Sequence, residues 1–181
     1  MKRGILFILM IGLLCACAPS EKQEEEFCHW RQTLNAVSVT AEVSICQNKQ
    51  AGTYTLQCDW TPEESHVEVL SPEAIAGVTA SRTNENTQLE YDGLLLSLGE
   101  LSGITPVSAV PELLDRICSG YIELCYTEAA DRGSITAVQF VEEQGITLRL
   151  WMDSNMCPIR ADFTQDKNAE IAISITEWNI E

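Results

Sequence analysis

The stretch that decides the fold runs from Ile135 to Ile175, ITAVQFVEEQGITLRLWMDSNMCPIRADFTQDKNAEIAISI. Its apolar residues recur with a period of two between turn-forming clusters, the pattern of half-buried strands. A turn at Glu143-Gln144 sets Ile135, Ala137, Gln139 and Val141 opposite Met152, Leu150, Leu148 and Ile146. The next turn sets Met152 against Cys157, Leu150 against Ile159, Leu148 against Ala161 and Ile146 against Phe163. A hairpin over Gln165 to Ala169 then brings Phe163 opposite Ile171 and Ala161 opposite Ile173. One face stays apolar across all four strands, and a slip of one residue would turn that face outward, so the pattern specifies an antiparallel meander. The other face mixes Val138, Phe140 and Trp151 with Thr136, Thr147 and Arg149. Apolar groups on both faces predict a sheet covered on both sides.

The same period extends toward the N-terminus. Val37, Val39, Ala41, Val43 and Ile45 alternate with polar residues, the chain turns between Asn48 and Gly52, and Tyr54, Leu56, Cys58 and Trp60 form the next apolar face. That parity points Cys58 inward and leaves Cys46 on the polar side, which argues against a bridge between them. Short strands follow at His66–Leu70 and Val78–Arg82, and Asp92-Gly93 between Leu89-Glu90-Tyr91 and Leu94-Leu95-Leu96 is a two-residue hairpin signal. Two segments keep helical spacing instead. Ser20 with Gln23 has the form of a capping box, acids crowd the first turn, and Phe27, Trp30 and Leu34 share a face, predicting a helix from Glu21 to Asn35. Between Ser108 and Ser119, Pro111 sits where a helix can begin, Val110, Leu114 and Ile117 recur every three to four residues, and Gly120 provides a stop. The fold class is α+β, mainly antiparallel β, with an N-terminal helix and a second helix inserted between strands.

Composition excludes several functions. With 11 Lys and Arg against 27 Asp and Glu, the chain of 181 residues carries a formal charge of -16. It offers no basic patch to neutralise phosphates, so no nucleic-acid partner is expected. No G-x-S-x-G, H-E-x-x-H, Walker A or dinucleotide fingerprint occurs, and pairs such as Glu63-Glu64 and Glu142-Glu143 read as turn residues, so no enzyme, catalytic residue or cofactor is expected. Cys28 beside His29 is the obvious candidate for a catalytic pair, but helical neighbours point about 100° apart. No cysteines have the C-x₂₋₄-C spacing and His29 and His66 stand apart, so no metal site is expected.

The first residues read as an address. Lys2 and Arg3 precede the apolar run Gly4–Leu14, too short to span a bilayer as a helix, and Cys15-Ala16-Cys17 follows. Leu14-Cys15-Ala16-Cys17 resembles a bacterial lipobox, in which cleavage leaves cysteine as a lipidated N-terminus. Small Ala16 before Cys17 fits that chemistry, whereas Leu14 before Cys15 does not. The implied organisation is a signal peptide over residues 1–16, a lipidated N-terminus and short tether over 17–23, and a single domain over 24–181. Cleavage removes two basic residues and no acid, so the exported domain is more acidic still. Ala18 to Ser20 would reach only on the order of 10–15 Å. Six cysteines remain after lipidation, namely Cys28, Cys46, Cys58, Cys118, Cys125 and Cys157. They allow fifteen pairings. Export permits disulfides, while a chain of this length builds a core without them.

An exported lipoprotein with an N-terminal helix, a long antiparallel sheet interrupted by a helix, a Glu90-Tyr91-Asp92-Gly93 hairpin followed by Leu94-Leu95-Leu96, and a closing meander resembles the LolA-like superfamily. That group includes LolA, LolB, the RseB sensor domain and lipoproteins of Gram-positive bacteria and mycobacteria. The segment Pro72 to Asp92 is similar to small clostridial-type lipoproteins. The resemblance implies a curved, open half-barrel sheet with helices over its mouth, enclosing an apolar cavity that in several members takes acyl chains. Trp30, Trp60, Phe140 and Trp151 are the candidate hydrophobic ligand lining; a filled core is the alternative use for them. The function this implies is non-enzymatic: a lipoprotein held on the extracytoplasmic face of the cell membrane by a diacylglyceryl Cys17, binding a lipid or other hydrophobic ligand. The alternative is an RseB-like sensor or protein-interaction lipoprotein whose partner is another envelope protein. Two acyl chains give stable anchoring where one is marginal. Cys17→Ala is therefore expected to leave the precursor unprocessed or the protein shed from the membrane, with no incorporation of labelled palmitate; membrane retention of that variant in cell fractionation would refute the anchor.

Overall fold

The computed structural model describes residues 21–47, 50–83, 86–99, 103–130, 133–141, 146–165 and 169–180. Cys17, the cap at Ser20 and the turn at Glu143-Gln144 lie outside the described residues. The chain enters on helix α1 (Glu21–Arg31) and runs through β1 (Val37–Gln47), β2 (Gln50–Trp60), β3 (Glu64–Ser71), β4 (Thr79–Thr83), β5 (Thr87–Tyr91) and β6 (Leu94–Gly99). It crosses on helix α2 (Pro106–Ser119) and finishes through β7 (Tyr121–Ala130), β8 (Gly133–Val141), β9 (Ile146–Met152), β10 (Pro158–Gln165) and β11 (Ala169–Ile180). The described strands make one eleven-stranded sheet in the order β6-β5-β4-β3-β2-β1-β11-β10-β9-β8-β7. Every pairing is antiparallel, and the sheet is open rather than closed on itself. It is thus two meanders, β1 to β6 and β7 to β11, joined where Val37 pairs with Ile180 and Val43 with Ile173.

Both helices pack on one face, and the core lies between. Inner positions of β1 and β2, including Val39, Ala41, Val43, Leu56 and Cys58, are at most 1% exposed. Helix α2 adds Leu113, Leu114 and Ile117, and α1 adds Phe27, edge-on to Phe140 at 6.0 Å. Among the described residues the outer face has no helix against it, and Glu42, Gln57 and Glu68 there are exposed. The double covering expected from the apolar groups on both faces is therefore corrected. Trp151 is instead roofed by two guanidinium groups, Arg149 at 5.7 Å and Arg160 at 5.2 Å from its ring.

The registers divide in an instructive way. Phe163↔Ile171, Ala161↔Ile173 and the strand parities of β1 and β2 are as the pattern requires, with Cys58 buried and Cys46 exposed. Between β9 and β10 the partners move by two, pairing Leu150 with Ala161 and Leu148 with Phe163, because Met152 pairs with Pro158 and not Cys157, and the irregularity between Pro158 and Arg160 takes up Ile159, which is exposed. The faces are kept. Between β8 and β9 the shift is one, pairing Phe140 with Leu148 and Val138 with Leu150. The closing pair is Val141↔Thr147, with five residues between the two where Val141↔Ile146 would leave four, and that change of one reverses parity. Phe140 and Val138 thereby move to the inner face, which gains more apolar area than Ala137 and Gln139 would have given it.

The helix limits also move. The first ends at Arg31 rather than Asn35, where Thr33 and Leu34 donate to the carbonyls of Trp30 and Arg31 in a terminal turn. The second begins before Pro111, with Thr105 as N-cap: Ser108 N donates to Thr105 Oγ1 at 3.3 Å and Thr105 N to Ser108 Oγ at 2.8 Å. Pro106 takes the first helical position, where its missing N–H costs nothing, and Pro111 is inside the helix and buried. The Asp92-Gly93 hairpin is present, with φ of 50° and 76°, the left-handed pair that a two-residue turn needs.

All six described cysteines are free thiols. Burial pushes the Cys58 thiol up to about 12, with Asp59 adding to the shift and Arg82 opposing it.

Gly120 ends α2 by close approach, not by a left-handed backbone. A Cβ there would clash with the Arg116 carbonyl oxygen and lie 2.8 Å from a Phe140 ring carbon. That carbonyl already accepts the Gly120 N–H at 2.8 Å. Gly120→Ala is expected to cost about 2 kcal/mol, as overpacking does, read as a lowered urea midpoint at unchanged slope; an unaltered midpoint would show the contact to be soft.

Candidate functional site

Helix α2 lies across β11, β1, β2 and β3, and its polar edge meets the strand ends at one mouth of the sheet. The spacing decides what gathers there. Trp60 is the last residue of β2, and Arg82 sits two positions beyond buried Ala80 on β4, so both point inward at the rim. On the helix, Asp115 and Arg116 fall three and four residues after Glu112, so both lie beside it. Arg82 Nη1 donates to Glu112 Oε2 at 3.2 Å, and Arg82 Nη2 donates to Asp115. Trp60 Nε1 donates to the other Asp115 oxygen at 2.8 Å, and Arg116 Nη2 to Glu112 at 2.9 Å. These groups latch the helix to the sheet.

Around the latch the surface is concave. A groove of about 530 Å³ runs past Ser38, Asp59, Trp60, His66, Ser81 and Arg82, and a second of about 310 Å³ lies between Trp60, Pro62, Asp115 and Cys118. Trp60 and Arg82 line both. The first groove has a polar wall, where Ser38 donates to Asp59 at 2.7 Å and His66 Nδ1 lies 3.1 Å from Ser81 Oγ. Beneath α2 the space closes to about 10 Å³, lined by Val67, Ala80, Thr87, Val107 and Pro111. Ser65 also reaches this crevice, its hydroxyl buried and without a hydrogen-bond partner among the described residues. The helix and sheet are therefore in contact along an apolar seam.

Magnitudes rank what holds α2 down. Val110, Leu113, Leu114 and Ile117 are at most 1% exposed, and at about 1.5–3 kcal/mol each their burial is worth on the order of 10 kcal/mol. The latch side chains are a quarter to a third exposed, which limits such a cluster to about 1–2 kcal/mol. Packing holds the helix, and the latch sets its position.

The four aromatic residues singled out in the sequence fall in three places. Trp30, on α1, stacks against Phe27 at 5.5 Å and Trp178 at 6.1 Å, and Phe27 links it to Phe140 on the inner face. Trp60 stands apart in the latch. Trp151 is on the outer face, away from the core. Arg82, Asp115 and Ser65 escaped sequence reasoning. The Glu112/Arg116 spacing was visible, but nothing local to Arg82 told that its strand would end against α2. Among the described residues no helix is long and apolar enough to cross a membrane.

The described elements, an open antiparallel sheet with two helices on its inner face, form the half-barrel architecture that was expected, and that fold recurs among solved structures. Solved structures with this arrangement include a conserved protein from Thermus thermophilus, 12% identical, covering 88% of each chain with a TM-score of 0.54. A DUF1329 family protein from Desulfovibrio piger is 10% identical, covering 91% of this chain and 94% of its own, with a TM-score of 0.53. A putative outer membrane lipoprotein-sorting protein domain from Vibrio parahaemolyticus is 9% identical, covering 86% and 91%, with a TM-score of 0.52. At these identities the likeness is one of fold. No protein-family model matches the chain, and no curated protein matches it in sequence.

Asp115→Ala removes two partners at once and strands the Trp60 indole N–H. It is expected to lower stability by about 1–2 kcal/mol, and a double-mutant cycle with Arg82→Met should give a coupling of roughly 1 kcal/mol; zero coupling would mean the latch is ornamental.

Proposed function

We propose that this chain is an exported, non-catalytic lipoprotein, anchored through Cys17 on the extracytoplasmic face of the cell membrane, whose half-barrel binds a hydrophobic ligand of the acyl-chain class. The observation that carries the reading is α2 itself. One amphipathic helix covers the centre of a long apolar face, is joined to the sheet along an apolar seam, and is fixed at its rim by a partly exposed latch.

Energetics define the ligand. Displacing α2 gives up on the order of 10 kcal/mol of burial. Each buried CH₂ returns about 0.8 kcal/mol, so a chain of about sixteen carbons replaces the helix at nearly equal free energy. A short or polar ligand cannot. In this reading Trp60, Phe140 and Trp30 border the vacated space, while Trp151, on the outer face, takes no part. The Arg82 latch determines how readily the rim opens.

Native mass spectrometry of the domain from Ser20 onward, purified gently from its own host, tests this. The expected result is added mass that denaturing extraction resolves into an acyl species. A bare polypeptide mass, with no uptake of palmitate from mixed micelles, would overturn ligand binding and leave the inner face as a filled core.

A further inference from the structure

The sheet has two outer strands, and they differ. β7 carries Glu123 and Glu128, and α1 packs beside it, Gln23 donating to Thr127. Charges and a covering helix are the usual means of blunting an edge. β6 reads Leu94-Leu95-Leu96-Ser97-Leu98-Gly99, with no charge and no proline. Among the described strands its backbone pairs with β5 alone, on one side.

The side chains of β6 are exposed on both faces. The inner row crosses from Cys58 to Val67, Ala80, Leu89 and Leu96. Along it exposure climbs from 0% at Cys58 and 5% at Ala80 to 58% at Leu96. Leu94, on the same face, is 75% exposed, and Leu95, on the outer face opposite Glu90, is 63% exposed. A helix, an acyl chain or a bilayer laid on one face would cover Leu94 and Leu96 or Leu95, but not both. An added strand covers both faces and also satisfies the open backbone groups.

Charge selects its composition. Glu90 and Asp92 are exposed beside the leucines, on a chain of net charge -16. A second copy would bring the same acids to the contact. We propose that β6 is a docking edge for an extended segment of a basic partner protein, about four to six residues in which apolar side chains alternate with Lys or Arg. The segment extends the sheet antiparallel or parallel to β6. Its inward apolar residues continue the row that ends at Leu96. This site is independent of the α2 seam.

The probe is a soluble peptide of about ten residues alternating valine with lysine, offered to the whole mature protein at physiological salt. The control has the same composition with two prolines added to block strand pairing. Saturable binding of the probe alone is expected, with slowed hydrogen exchange confined to Leu94–Gly99. Leu95→Lys, at a solvent-facing position, should weaken it about tenfold with an unchanged urea midpoint. Asp92→Asn, which keeps the left-handed turn, should weaken it about twofold to threefold. Equal binding of the proline control, or binding without protection of β6, would overturn the proposal. So would protection of β6 by phosphatidylglycerol vesicles or by concentration-dependent dimerisation in place of the peptide.

Discussion

The pairing of β1 with β11 is the contact on which the rest of the molecule depends. Each meander can form from hairpins between neighbours, but only this ladder, from Val37↔Ile180 to Gln47↔Ala169, makes them one sheet. It joins the two ends of the domain, so it closes the longest loop in the chain, and loop-closure entropy makes such contacts late and costly. The compensation is concentrated there. Val37, Val39, Ala41 and Val43 on one strand and Ile173 on the other are at most 2% exposed, and α2 lies over both strands. Without the helix the joint would be a pair of half-covered strands; without the joint the helix would have no continuous surface to cross.

That dependence explains what the sequence displayed. Strand parity is a local property, so the inner faces of β1, β2 and β11 were legible residue by residue, as was the Asp92-Gly93 turn; on β10 Ala161 and Phe163 were legible, but Ile159 is exposed because the irregularity after Pro158 turns it out. The β8–β9 register was not, because it depends on whether the loop between them holds an even or an odd number of residues, and Glu143-Gln144 suits either. The start of α2 was misplaced for a related reason. Pro111 looks like a helix start, yet Thr105 and Ser108 form a complete reciprocal cap and Pro106 occupies the first turn. Local chemistry offered two answers, and the better-satisfied backbone won.

The site was less legible than the fold. Trp60 announced itself as an inward aromatic residue, but its role comes from Asp115, 55 positions away. Arg82 is an ordinary residue on a five-residue strand until the sheet order places it under α2. Aromatic residues chosen by type alone mixed an inner-face Phe140 with an outer-face Trp151. The one-residue β8–β9 register difference separates them by turning Phe140 inward, while Trp151 stays outside between Arg149 on its own strand and Arg160 on β10.

A last geometric argument unites the covered centre and the bare edge. Helix α2 has 14 residues, so it is about 21 Å long at 1.5 Å per residue. Strands lie about 4.8 Å apart, and a helix of that length laid across them covers about four. It meets four, β11, β1, β2 and β3. Helix α1, with 11 residues, serves the β7 side. The described elements contain no third α-helix for the inner face of β5 and β6; the one further helical turn, a 3-10 turn at Glu73–Ile75, packs beside β3. Exposed Leu94 and Leu96 therefore follow from helix length and sheet width. Leu95 does not, because it faces the other way. An uncharged edge strand bearing leucine on both sides is more than helix coverage alone accounts for, and a strand-shaped partner is the cover that fits both faces at once.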